Sequence, residues 1–207
     1  MIGLEKLICS DFFIICTGTS NTHVAAIANS IRRHVSKKLK EKPFGTEGAD
    51  SAYAGDTDSQ GNLYVVGRTA KTLTSAESFG SFDAYLKKYA PDGNEIFTKQ
   101  FGTSGRDQAI GVQVSEQGSV YIFGETRGAF EGQSSLGKQD VFLIQADSEG
   151  QISWSKQIGS DDTDTAEDLF VGSDGSIYIA GTTLGAMDPS IGKTTKDNDA
   201  YIIKFNQ

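Results

Sequence analysis

Groups able to do covalent chemistry are scarce in this chain of 207 residues. It has two cysteines, Cys9 and Cys16, and two histidines, His23 and His34, all near one end. Two thiols do not make a disulfide scaffold at this length, so they read as free thiols in a reducing compartment. Beyond His34 there is no imidazole to act as a base, and no Gly-x-Ser-x-Gly turn to present a nucleophile. No enzyme, no cofactor and no metal centre are therefore expected. Long apolar runs are missing as well. The strongest, residues 12–16 (Phe-Phe-Ile-Ile-Cys), falls far short of the roughly 20 residues of a membrane-spanning helix. Glu5 and Asp11 interrupt the region, no small-residue cleavage site follows, and Ile15 is too large to precede a lipidated Cys16. Neither a secretion signal nor a lipid anchor is expected, and the expected location is the cytoplasm.

What the chain has in quantity is repetition. Tyr64, Tyr121 and Tyr178 are 57 residues apart, and Gly67, Gly124 and Gly181 keep the same step. So do Asp50, Asp107 and Asp164; Ala52, Ala109 and Ala166; Gly61, Gly118 and Gly175. Phe97 and Trp154 correspond, as do Phe44-Gly45, Phe101-Gly102 and Ile158-Gly159. A fixed period of this length marks a tandem array of supersecondary units. In the first unit four strands are expected, near residues 51–55, 63–69, 82–89 and 95–101, with turn chemistry at Asp58-Ser59-Gln60-Gly61-Asn62 and Pro91-Asp92-Gly93-Asn94. Leu63 and Val65 point one way and Tyr64 and Val66 the other, so the second strand is apolar on both faces and lies between neighbouring layers.

Composition changes near Gly48. Up to that residue seven Lys/Arg stand against four Asp/Glu; beyond it twelve stand against twenty-three, and twenty of the 24 glycines lie there. Before the break, residues 10–17 form a short β-branched and aromatic run ending at Gly18, which suits a buried strand. Ser20 or Asn21 then caps a helix whose apolar stripe is Val24, Ile27, Ala28, Ile31, Val35 and Leu39. Its C-terminal half carries Arg32, Arg33, Lys37, Lys38, Lys40 and Lys42. A solvated face at the negative end of the helix accounts for them, with an RNA-contacting patch as the sharper alternative.

The stretch Asp11-Phe12-Phe13-Ile14-Ile15-Cys16-Thr17-Gly18-Thr19-Ser20-Asn21-Thr22-His23-Val24-Ala25-Ala26-Ile27-Ala28, followed by Glu47-Gly48, resembles the ribosomal silencing factor (Iojap-like) family. The resemblance runs over residues 10–48 and implies a small α/β fold that binds the large ribosomal subunit and blocks subunit joining. By the same resemblance Thr17, Gly18, Ser20 and His23 are candidate binding residues. From its position alone His23, in the first helical turn with no acidic or nucleophilic neighbour, reads as a packing or capping residue. From Ala49 onward the sequence departs from that family's pattern.

Residues 44–207 resemble the seven-bladed β-propeller repeat family of bacterial surface and secreted proteins. The matching residues are Phe44-Gly45, Asp50 with Ala52, residues 61–69, and Asp83-Ala84-Tyr85-Leu86-Lys87-Lys88-Tyr89, with Asp140-Val141-Phe142-Leu143 and Asp199-Ala200-Tyr201-Ile202-Ile203-Lys204-Phe205 in the later units. Asp140 to Asp199 is a step of 59, so the third unit has two extra residues in its long loop. The expected fold class is mainly β: three propeller-type four-stranded repeats in an incomplete ring, with a short strand-helix α/β segment ahead of them. The expected domains are residues 1–43 and 44–207, with units near 44–100, 101–157 and 158–207. The third unit ends where its last hairpin turn would begin, and residues 38–44 stand in fourth-strand register ahead of the first.

Three patterns imitate ligand sites. Residues 132–138 (Gly-Gln-Ser-Ser-Leu-Gly-Lys) have P-loop spacing, but Gln139 stands where Ser or Thr is needed and a strand follows. Asp56-Thr57-Asp58-Ser59-Gln60-Gly61 opens like a calcium loop, yet Gly67 holds the place of the bidentate Glu. Asp161, Asp162, Asp164 and Glu167 read as a solvated loop. The expected function is a non-enzymatic propeller-type interaction module that binds a protein partner or self-associates through its open edges, with no membrane and no specific nucleic acid as partner. The alternatives are a ribosome-associated silencing factor with appended repeats, its partner the large ribosomal subunit, and a fusion product without selected function.

Overall fold

In a computed structural model, the chain divides between Gly48 and Ala49, and the residues described are 50–73, 78–187 and 197–205, all in the second unit. They form eleven strands: β1 Ser51–Thr57, β2 Leu63–Thr69, β3 Asp83–Tyr89, β4 Glu95–Phe101, β5 Asp107–Val114, β6 Val120–Thr126, β7 Asp140–Ala146, β8 Ile152–Ile158, β9 Asp164–Val171, β10 Ile177–Thr183 and β11 Asp199–Phe205. Consecutive strands pair antiparallel into three sheets, β1 to β4, β5 to β8 and β9 to β11, none closed on itself. The fold is mainly β, and no helix occurs among the described residues. The expected strand at residues 10–17 and the helix after it lie outside them.

One local design recurs in every sheet. The first hairpin closes by Gly61 N–H to the Asp58 carbonyl, Gly118 N–H to Ser115 and Gly175 N–H to Gly172, with φ of 79°, 83° and 79° at the three glycines. This is a type I turn followed by a left-handed residue, where a side chain would be strained. Further along, a Cβ on Gly67, Gly124 or Gly181 would strike the carbonyl of Ser51, Gln108 or Thr165. That crowding arises because each first strand bulges beside the glycine, between Ala52 and Ala54, between Ala109 and Gly111, and opposite Ala180 and Gly181. The Tyr85 and Tyr201 hydroxyls use the space to donate to the Ser51 and Thr165 carbonyls at 3.2 and 2.8 Å. Burial, with the Asp50 charge second, pushes the Tyr85 hydroxyl up to about 12.

The sheets meet through their first strands, with β5 against β1 and β2 and β9 against β5 and β6. Backbone bonds stitch them together: Ser81 N–H donates to the Gly105 carbonyl and Asp107 N–H to Phe82, and 57 residues on Lys138 N–H donates to Asp162 and Asp164 N–H to Gln139. Two apolar layers result. Tyr64, Val66, Ala84 and Leu86 of the first sheet pack on Val120, Ile122, Phe142 and Ile144 of the second. The other face of the second sheet, with Tyr121, Phe123, Val141 and Leu143, packs on Ala166, Leu169, Ile177, Ile179 and Tyr201 of the third. All seven residues of β6 are therefore buried, and each large side chain there contributes roughly 1.5–3 kcal/mol of transfer free energy.

Candidate interaction surface

The polar groups inside the repeats are engaged in holding them together. Asp83, Asp107, Asp140 and Asp164 are fully buried. Asp107 accepts from Thr103 N–H at 2.7 Å and from the Thr103 and Thr126 hydroxyls at 3.0 and 2.5 Å. Its pKa is raised by burial and secondarily by the Asp83 charge, against the lowering effect of those donors. Asp164 takes Ser160 N–H at 2.6 Å and the Ser160 hydroxyl at 3.0 Å in the same way. Asp83 takes Phe79 N–H and Gly80 N–H, both at 2.9 Å, and the Gln100 side-chain amide at 2.6 Å. Each carboxylate so fixes a loop to a strand end, and none of the four pairs with a cation.

The ligand-like patterns resolve similarly. The P-loop spacing at residues 132–138 falls on the loop before β7, and its Lys138 reaches Asp162 at 3.0 Å. Asp58 accepts from Gln60 N–H and Asn62 N–H at 3.0 and 2.9 Å, and Asp56 from Val114 N–H of the next sheet at 2.8 Å. The acidic group at residues 161–167 is a solvated loop only in part: Asp161 and Glu167 are exposed, while Asp164 is fully buried. Asp164 is buried because it is the repeat counterpart of Asp107, and backbone and hydroxyl donors replace water around it. Among the described residues no cluster of three or more His, Cys, Asp or Glu is placed to hold a metal ion, and no helix is long and apolar enough to cross a membrane. Thr17, Gly18, Ser20 and His23 lie outside the described residues.

The surface that stands out is the third sheet. In the first sheet Tyr64, Val66 and Leu86 are sealed under the second, and in the second sheet Tyr121, Phe123 and Leu143 are sealed under the third. Tyr178, Ala180 and Ile202 occupy the same places in β10 and β11, yet Ile202 is 76% exposed where Leu86 is 1% and Leu143 0%. The hydrogen bonds that reach the next sheet stop here too. Asp56 accepts Val114 N–H and Gln113 accepts Val171 N–H at 3.0 Å, whereas the third residue of that series is Phe170, 60% exposed and stacked beside Tyr178 with centroids 6.3 Å apart. Lys88 sits over Tyr64 and donates to the Ser148 carbonyl of the second sheet at 3.0 Å. Its counterpart Lys204 sits over Tyr178 at 5.4 Å and is exposed. Among the described residues β11 pairs with β10 alone.

Comparison with known proteins bears on both parts of the chain. Residues 4–82 match the family model "Ribosomal silencing factor during starvation". The match begins before residue 10 and runs beyond Gly48 through β1 and β2, so the departure expected at Ala49 is not where the likeness ends. The chain is also similar to "Regulatory protein FlaEY" of Caulobacter vibrioides, 23% identical over 164 residues, which are 72% of this chain and 17% of that protein. The chain thus spans about a sixth of the length of that relative.

What sequence reasoning missed here is the pair Gln100 and Gln157. Gln100 donates to Asp83 and to the Lys71 carbonyl while its own carbonyl accepts Leu73 N–H. Gln157 does the same with Asp140, Gly128 and Phe130. The signal was present in their spacing of 57.

Proposed function

We propose that this protein is a non-enzymatic interaction module made of β-propeller-type repeats, which engages a protein partner through the open third sheet. The observation that carries the reading is the exposure of Ile202, whose counterparts Leu86 and Leu143 in the earlier sheets are buried, together with the exposed ring of Phe170 beside the half-buried Tyr178. A contiguous apolar patch on an otherwise acidic protein is a common mark of a contact surface. Buried carboxylates committed to loop fixation, rather than gathered in a cleft, support a binding role over a catalytic one. The test compares the full chain with a double variant, Phe170→Glu and Ile202→Glu, which alters exposed side chains only. The wild type should bind a hydrophobic dye strongly and recover from bacterial extract a partner that the variant does not. A partner retained equally by both, or equal dye fluorescence, would contradict the reading.

A second reading is favoured by the family match over residues 4–82. Here the chain acts in the cytoplasm on the large ribosomal subunit and hinders subunit joining, with Thr17, Gly18, Ser20 and His23 in the contact and the repeats appended. Co-sedimentation with purified large subunits separates the two. The interaction-module reading expects no complex that survives high salt; a salt-resistant complex weakened by His23→Ala would establish the second.

A further inference from the structure

The residues that build the sheets recur every 57 positions, whereas a group at the junction of the first and second sheets does not. Tyr53, Arg68, Phe82 and Arg106 give way one repeat later to Ile110, Glu125, Gln139 and Thr163. At this junction the backbone of Phe82 bridges to that of Arg106, and two guanidinium groups share the Phe82 ring, with Arg68 Cζ 4.7 Å and Arg106 Cζ 5.4 Å from its centroid. The ring of Tyr53, 44% exposed, has its centroid 5.8 Å from Arg68 Cζ. Arg68 Nη1 donates to Gln108 Oε1 at 3.1 Å, and Gln108 is held in that orientation by donating its own amide to Glu125 at 2.7 Å. The Arg68 Nε–H is buried and has no acceptor. Among the described residues no carboxylate stands within ion-pair distance of either guanidinium group.

We propose that this junction receives an acidic side chain of a partner protein, its carboxylate held between the Arg68 and Arg106 guanidinium groups and an aromatic neighbour laid on the Tyr53 ring. Folding the repeats does not require the arginines, since the next junction is built without them. Two cations set against aromatic rings with no counter-charge gain most from an anion, and a planar guanidinium fork matches a carboxylate. Beyond Gly48 twelve Lys/Arg stand against twenty-three Asp/Glu, and the arginines among the twelve are Arg68, Arg106 and Arg127. Arg127 is occupied with Gln139, to which its Nε donates at 3.1 Å. The net negative field of the repeats repels polyanions, so a singly charged carboxylate suits the junction better than a phosphate or a nucleic acid. The half-open Tyr53 ring beside the charge supplies apolar area for the residue next to the acid.

The probe is the blocked peptide acetyl-Ala-Trp-Glu-Ala-amide, titrated into the full chain while the arginine Nε–H resonances are followed by NMR. Saturable shifts at Arg68 and Arg106, with Arg127 unmoved, are expected. The peptide with Gln in place of Glu should bind roughly ten-fold more weakly, because the charge-assisted bonds are lost. Arg68→Lys keeps the charge without the planar fork and should weaken binding by a similar factor, as should Arg106→Gln. Unchanged amide exchange of β6 in the two variants marks an intact fold. The Phe170→Glu, Ile202→Glu protein should bind the peptide as the wild type does, so this contact stands or falls separately from the third-sheet reading. No saturable shift, equal binding of the Gln peptide, full binding by both arginine variants, displacement by an equal concentration of inorganic phosphate, or loss of binding in the third-sheet variant would overturn the proposal.

Discussion

At the scale of single residues, buried carboxylates with neutral partners decide how stability responds to pH. Burial raises the pKa of Glu125, and the Gln108 amide at 2.7 Å only partly offsets this. A raised folded-state pKa means that the native protein binds the proton more tightly than the unfolded chain does. Its contribution is present in full below the ordinary value of 4.5 and is lost as pH rises through the folded value. Urea denaturation of wild type and Glu125→Gln from pH 4 to pH 8 should therefore show the variant gaining relative stability as pH rises, then levelling off. The opposite slope would mean that Glu125 is stabilised as the anion. Asp107 differs in having three donors aimed at it. Asp107→Ala strands the Thr103 N–H and two hydroxyls, each buried unsatisfied group costing about 1–3 kcal/mol, so a loss of at least about 3 kcal/mol is expected in the same assay.

At the scale of strands, one repeat position can be followed through three environments. Leu86, Leu143 and Ile202 stand at matching places in β3, β7 and β11, and only the last is exposed. Leu86→Ala and Leu143→Ala should each cost about 2–5 kcal/mol, whereas Ile202→Ala should change stability by less than about 0.5 kcal/mol. Equal costs at all three, measured by chemical denaturation, would show that the third sheet is covered in solution. The strands themselves were largely legible. The 57-residue step of Tyr64, Tyr121 and Tyr178 placed β2, β6 and β10, and the repeated Gly61, Gly118 and Gly175 marked the first hairpin of each sheet, because left-handed glycine and alternating apolar residues are local signals. The bulges at Tyr53, Ile110 and Glu167 were not legible, since they depend on a carbonyl crowding a glycine one strand away. The buried state of Asp164 was hidden for a similar reason: a carboxylate looks solvated in sequence until its loop donors are known. The amide socket of Gln100 and Gln157 joins three segments far apart in the chain, and spacing alone gave no hint of what it grips. The candidate residues Thr17, Gly18, Ser20 and His23 belong to the other unit and came from likeness to a family.

At the scale of the molecule, the three sheets of the described residues form a stack whose middle sheet contributes side chains to both apolar layers. The first apolar layer joins the first and second sheets, the second joins the second and third, and on the third sheet Phe170 and Ile202 are exposed among the described residues. Local opening should therefore be easiest there, where the fewest apolar contacts oppose it. The family match across residues 4–82 reaches into β1 and β2, so the silencing-factor likeness and the first sheet share sequence rather than abut. Hydrogen exchange of the full chain, read by mass spectrometry at matched repeat positions, bears most directly on the open-sheet account. Amides of β6 and β7 should exchange slowest and those of β10 and β11 at least about ten-fold faster, at every protein concentration. Equally slow exchange in all three sheets of the isolated protein would contradict the account, because the third sheet would then already be covered.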